Sequence, residues 1–220
     1  MDVMELMRSR HSVRQYLDTV IPDELRQQLS EYAGALNSES GLHMQILYDE
    51  PLCFNSLMAH YGRFVNVRNY IALVGRKEKG LEERCGFYGE KMVLKAQELG
   101  LNTCWVAFSH GKSHAVTGNG EKEVVLIALG YGRTSGTGHR IKSPSDVSNI
   151  SEDSPEWFRK GIEAALLAPT ALNQQRFRIE HDGRKVSSAC GLLGSNLKVS
   201  LGIARCHFEL AAGPENFEWV

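Results

Sequence analysis

Four separated stretches of the 220-residue chain carry side chains suited to chemistry. In "RSRHSVRQY", Arg8, Arg10, His11 and Arg14 fall within seven residues, with Ser12 among them. Guanidinium groups fanned in this way can hold a phosphate through paired, charge-assisted hydrogen bonds. Basic residues also suit the last turn of a helix, where they complement its dipole. In "HRIKSP", Arg140 and Lys142 alternate after a glycine-rich loop and before Pro144. Alternate residues of an extended segment point to one side, so both can reach a single anion. A plain exposed loop accounts for them equally well. In "ELGLNTCWVAF", a helix ends at Gly100 and Thr103, Cys104 and Trp105 open a strand. Backbone leaving a helix this way presents N–H groups to a flat ligand edge, although Trp105 is equally at home in a core. In "LLAPTALNQQRFRIE", Pro169 stops an apolar run, Thr170 enters the turn, and Asn173, Gln174 and Gln175 set three amides in a row. Each amide carries donors and an acceptor, which suits a heteroaromatic edge that mixes both.

Other patterns fall short. "HGKS" ends like a phosphate loop, but Val106 stands where the first glycine belongs. "GYGRTSG" spaces its glycines as GxGxxxG, which is not the dinucleotide fingerprint. His110 and His114 are four apart with no helix to align them, so we expect no metal site there. Neither a G-x-S-x-G elbow nor a marked Cys/His nucleophile pair is present.

The elements that must position these residues follow from periodicity. Short helical patterning in "DVMELMRSR" places the basic cluster at a helix end. "IPDELRQQLSEYAGAL" predicts a helix with Leu25, Leu29, Tyr32 and Leu36 on its apolar face. "LHMQILY" alternates as a strand, with Leu42, Met44, Ile46 and Tyr48 on one side. "RNYIALVG", "NTCWVAF" and "KEVVLIALGYG" predict further strands. "GLEERCGFYGEKMVLKAQELGL" predicts a long helix with Phe87, Met92, Val93, Ala96 and Leu99 buried. Its Gly86 and Gly89 lower helix propensity, so packing must hold it. "SPEWFRKGIEAALLA" predicts a helix with Ser154 as N-cap. "RFRIEHDGRKV" predicts a hairpin, "LKVSLGIARCHFELAA" a last helix, and the segment from Gly132 to Asp146 a loop. Mixed helices and strands without strict alternation indicate an α+β fold, a single domain over 1–220 or two fused halves of about 1–140 and 150–220.

Composition bounds the function. Hydrophobic content of 42% and charged content of 23% belong to a soluble globular chain, and a net charge of −1 draws in neither nucleic acid nor a membrane surface. No stretch approaches the roughly 18 apolar residues of a membrane span, and the start lacks a signal-peptide core. Five scattered cysteines without a CxxC pair argue against a disulfide framework or zinc, and place the chain in a reducing cytoplasm.

Taken together, the four stretches resemble the FMN-dependent nitroreductases. "RSRHSVRQY" is similar to that family's opening R-R-S-[VI]-R-x-[FY]. "LGLNTCWVA" resembles its L-G-L-G-T-x-W-x-G, and "RIKSP" its [KR]-x-[RK]-x-P. "APTALNQQRF" resembles its A-P-[ST]-x-x-N-x-Q-P-[WF], here near the C-terminus rather than soon after the arginines. That order resembles the subgroup in which one chain looks like two fused half-domains. The resemblance implies a three-layer α/β/α sandwich around a mixed, mainly antiparallel sheet. It implies FMN as cofactor, NADH or NADPH as donor, and ping-pong reduction of a quinone, nitroaromatic or similar small acceptor. The chain would act as a homodimer or a monomeric pseudo-dimer. Carried over, Arg10, His11, Ser12 and Arg14 fall on the phosphate and ribityl motif, completed by Arg140 and Lys142. Thr103, Cys104 and Trp105 would border the ring. Pro169, Thr170, Asn173 and Gln175 would contact the isoalloxazine or ribityl group, with Asn173 near the reactive ring nitrogen. The flavin's pyrimidine ring has the mixed edge that amides suit. His11, Asn102, Ala107 and Arg176 depart from the pattern. A flavin-binding protein without turnover, serving as a store or redox sensor, is the alternative.

Overall fold

The computed structural model describes residues 2–220. The chain forms two compact units that interleave along the sequence. Residues 2–9, Glu82–Glu90 and Gly138–Val220 make the first; Arg10–Leu81 and Lys91–Thr137 make the second.

The second unit is built on a four-stranded antiparallel sheet of order β1-β2-β4-β3: β1 (Gln45–Leu47), β2 (Asn69–Arg76), β3 (Asn102–Val106) and β4 (Glu121–Gly130). Strand β2 is buried along seven of its eight residues, as a continuous apolar run covered on both faces requires. Tyr70, Ala72, Val74, Leu126 and Ala128 join Val13, Tyr16, Phe54 and Phe64 in one core. Helix α2 (Asp23–Ser40) buries Leu29, Ala33 and Leu36; Leu25 and Tyr32, expected on that face, are half-buried. The alternation of "LHMQILY" holds at Leu42 and Met44, but the ladder is only three residues long. Asn37 explains the entry: its amide donates to Met44 O at 3.0 Å and accepts from Met44 N at 2.8 Å, so Met44 spends its backbone bonds on the helix.

The second unit also holds the short helix α3 (Leu57–Tyr61), and helix α4 (Leu81–Glu98) contributes to both units. In the first unit it meets α7 (Leu197–Ala212) at glycines: a Cβ on Gly86 would lie 2.1 Å from Val199 O, and one on Gly202 1.9 Å from Glu83 O. Close backbone approach therefore accounts for a glycine that propensity alone disfavours. Phe87, expected in the buried stripe, is half-buried, while Cys85 and Glu90 are fully buried. Helix α6 (Glu156–Leu166) packs its Gly161 under the Phe208 ring of α7. The strands β5 (Phe177–Asp182), β6 (Lys185–Cys190) and β7 (Glu218–Trp219) form a second sheet, antiparallel between β5 and β6 and parallel between β6 and β7. The α+β class is realised, with two sheets among the described residues rather than one.

Three local expectations change. The first helix, α1 (Val3–Ser9), stops before the basic cluster, so Arg10–Arg14 lie beyond it in extended chain. Ser154 is not the N-cap of α6; Pro155 is. The Ser154 hydroxyl instead accepts from Ser151 N at 2.9 Å and lies 3.3 Å from His181 Nε2. The glycine-rich loop carries a one-turn helix, α5 (Pro144–Val147), entered where Ser143 N donates to Asp146 Oδ2 at 3.2 Å.

Candidate functional site

In the second unit the basic cluster runs as an extra extended segment between two neighbours. Ser12 bridges Thr103 of β3 in parallel, with Val13 N donating to Thr103 O at 3.0 Å. On the other side Gln15 bridges Val65, with Val65 N donating to Arg14 O at 3.0 Å and Tyr16 N to Val65 O at 3.0 Å. Extended backbone puts residues 10, 12 and 14 on one side and Val13 on the other. Val13 is in the core accordingly, while Arg14 is exposed and Arg10 is buried.

Cys104 reports what gathers there. Its thiol donates to Trp105 O at 3.5 Å, and the Arg14 and Arg10 guanidinium groups and the Ser12 hydroxyl all act to lower its pKa. Burial nevertheless dominates and pushes the thiol up from its ordinary value, so it stays protonated and is a poor nucleophile. Arg10, Ser12, Arg14, Thr103 and Cys104 are thus brought together. Trp105 follows on β3, half-buried.

The departures from the motif have local explanations. Asn102 Oδ1 accepts from Gly132 N at 2.9 Å, so the amide clamps the chain after β4 beside β3. Neither Asn102 nor Ala107 has a positive φ, so neither position requires glycine. His11 packs against Gly136, whose φ is 75° and where a Cβ would lie 2.7 Å from the His11 Cβ.

In the first unit, the helix exit after α6 forms a tight turn. Leu172, Asn173 and Gln175 all have left-handed backbones, with φ of 52°, 52° and 45°. Non-glycine residues pay strain for this conformation, and hydrogen bonds hold it. Asn173 N donates to Thr170 O at 2.9 Å, and Gln175 N to Thr170 Oγ1 at 3.0 Å. The turn also holds the "HRIKSP" segment: Asn173 Nδ2 donates to Arg140 O at 2.8 Å, and Lys142 Nζ donates to Gln175 O at 3.0 Å. The Arg140 side chain is exposed. Gln174 turns inward to Ala171 O and Ser195 O, at 2.9 and 3.3 Å. Arg176 donates to Leu193 O, tying the turn to the loop before α7. Pro169, Thr170, Asn173, Gln175, Arg140 and Lys142 therefore form one cluster.

A cavity of about 460 Å³ in the second unit had no counterpart in the sequence motifs. Phe54, Asn55, His60, Phe64, Asn66 and Arg68 contribute to its wall. Left-handed backbones at Arg63 and Asn66, with φ of 61° and 56°, shape that loop. No composition signal marks them, because "GRFVNV" contains one glycine and neither strained residue is it. His110 and His114 lie in a loop, with His114 Nδ1 3.3 Å from Glu50. Among the described residues no group of three or more His, Cys, Asp or Glu could hold a metal ion. No helix among them is long and apolar enough to cross a membrane.

The family described as "Putative TM nitroreductase" matches residues 2–212. Solved structures share the fold. A "putative nitroreductase" from Thermotoga maritima is 24% identical, with a TM-score of 0.71 over 96% of this chain and 83% of its own. A "putative nitroreductase in complex with FMN" from Desulfovibrio desulfuricans is 17% identical, with a TM-score of 0.56 over 70% of this chain and 99% of its own. A "putative NADH dehydrogenase/NAD(P)H nitroreductase" from Bacteroides thetaiotaomicron is 16% identical, with a TM-score of 0.53 over 70% and 98%. No curated protein matches the chain.

Proposed function

The chain belongs to the nitroreductase family, and from that premise we propose that it is an FMN-dependent NAD(P)H oxidoreductase that reduces a quinone, nitroaromatic or similar small acceptor. The observation that carries the reading is the pairing of the Arg10–Arg14 segment with β3, which sets Arg10, Ser12 and Arg14 along one extended chain beside Thr103. That donor set fits a phosphomonoester: charged N–H and O–H groups on one side of an extended chain. When bound, FMN supplies the hydride exchange between donor and acceptor. Arg10, Ser12 and Arg14 hold the phosphate and ribityl chain, and His11 fixes the segment against Gly136. The backbone of Thr103, Cys104 and Trp105 borders the ring. Arg140 and Lys142 contact the phosphate. Pro169, Thr170 and Asn173 would border the ring, and Asn173 keeps one amide donor beyond its bond to Arg140 O for the neighbourhood of the reactive ring nitrogen. No side-chain nucleophile enters, which agrees with a Cys104 thiol kept protonated by burial.

The cavity of about 460 Å³ is lined by none of the residues assigned to the flavin and lends this reading no support. Donor and acceptor take turns, and the protein works as a homodimer or a monomeric pseudo-dimer. The test is anaerobic: purified protein with FMN is mixed with NADH or NADPH, and the flavin absorbance is followed. Bleaching with one nucleotide, reversed by a quinone or nitroaromatic, supports the oxidoreductase. Flavin that binds but stays oxidised with both nucleotides leaves a binding protein without turnover and sinks the proposal.

A further inference from the structure

Gln175 is the most enclosed amide of the helix-exit turn, only 2% exposed. Its Oε1 accepts from Lys142 N at 2.9 Å. Its Nε2 donates to Arg140 O and to Asn173 Oδ1, both at 2.8 Å. The amide orientation is fixed by those partners, since oxygen meets an N–H and nitrogen meets two acceptors. A primary amide has two donors on its nitrogen, and both are spent within the protein. Nothing remains on Nε2 to offer a flavin edge. What the side chain does reach is the backbone on both sides of Ile141, at Arg140 and at Lys142.

The main chain of Gln175 completes the grip. Its carbonyl accepts from Lys142 Nζ at 3.0 Å, which fixes the ammonium and leaves two of its three donors for an anion. The strained backbone at Leu172, Asn173 and Gln175 is what brings side chain and carbonyl to the same short segment.

We propose that Gln175 is a positioning residue, acting on the FMN phosphate through Arg140 and Lys142 rather than touching the flavin. This rests on the flavin reading above. It predicts a loss confined to the phosphate-bearing ligand, because riboflavin shares the ring and ribityl chain but lacks the phosphate.

The test compares binding of FMN and riboflavin to the wild type and to Gln175→Met, which keeps the volume and removes every amide bond. The expected result is a fall of about tenfold in the preference for FMN over riboflavin, the scale of a lost charge-assisted hydrogen bond. In an Arg140→Ala/Lys142→Ala background the same change should alter the preference no further, since the groups it acts through are gone. Gln175→Glu serves if the Met variant does not melt cooperatively; it keeps the acceptor for Lys142 N but sets a carboxylate against two oxygens, and the same fall is expected. An unchanged preference, an equal loss for both flavins, or a further fall in the double background overturns the inference while leaving the flavin reading intact. A wild type that binds neither flavin overturns both.

Discussion

Charge at single residues follows from what burial does to it. Cys104 and Cys53 are both buried, and both thiols are pushed up. The causes differ after burial: Cys104 faces arginines that partly offset it, whereas Cys53 faces the carboxylates of Glu50 and Glu123, which add to it. Cys53 is accordingly pushed up to about 12 from 9.0. Its folded value lies above its unfolded one, so the folded state keeps a proton that the unfolded chain loses. The thiol's contribution is therefore complete below pH about 9 and is lost as pH climbs toward about 12. Denaturant titrations of wild type and Cys53→Ala should show the wild type's advantage shrinking between pH about 8 and about 11. An advantage constant across that range would refute the shift. The residue types of the site were legible in the sequence because arginine, serine and amide side chains name their own chemistry. Their partners were not. That Gln175 faces Lys142 and Arg140 depends on three left-handed backbones, and nothing in "NQQ" announces them.

Elements were legible where one periodicity covered their length, as in α2, β2 and β4, and illegible where a tertiary contact set the boundary. Asn37 shortens β1, and Ser154 is drawn from its capping role by Ser151 and His181. The glycines divide the same way. Gly34 on α2 and Gly86 on α4 look alike as helix-weakening residues in a sequence. A Cβ on Gly34 would meet nothing within 4 Å, whereas one on Gly86 would meet Val199 O at 2.1 Å. Gly34→Ala should therefore stabilise the protein by about 0.5–1 kcal/mol through helix propensity. Gly86→Ala and Gly202→Ala should each cost about 3 kcal/mol or more, because backbone must move to admit the methyl group. Thermal melts of the three variants check this; a Gly202→Ala variant as stable as wild type would mean that α4 and α7 do not pack at these glycines.

At the scale of the molecule, the fold class was legible from mixed periodicities, but the way the chain divides was not, since contiguous composition says nothing about a segment that leaves and returns. Residues 2–9 and Glu82–Glu90 belong with Gly138–Val220. Three links show what the C-terminal stretch would lose without them. Arg8 pairs with Glu163 at 2.6 Å, and Glu83 pairs with Arg205. His207 and Glu90 form a pair with neither side chain exposed, Nε2 to Oε1 at 2.9 Å. The other imidazole nitrogen lies 3.0 Å from Ala164 O, which can only accept, so Nδ1 carries a proton. Removing Glu90 leaves the buried His207 Nε2 without this partner. Breaking such a pair from one side costs about 3–5 kcal/mol, against a total stability of about 5–15 kcal/mol for a domain. The Gly202 face of α7, built for a backbone 1.9 Å from where its Cβ would be, would open as well. A fragment spanning 138–220 should therefore lack a cooperative melt by circular dichroism, although it contains α6, α7 and the whole of the second sheet. The intact chain should unfold cooperatively under the same conditions. A fragment that melts cooperatively with native-like near-ultraviolet signal would mean that the N-terminal and α4 segments are dispensable, and that the halves are separable by a single cut.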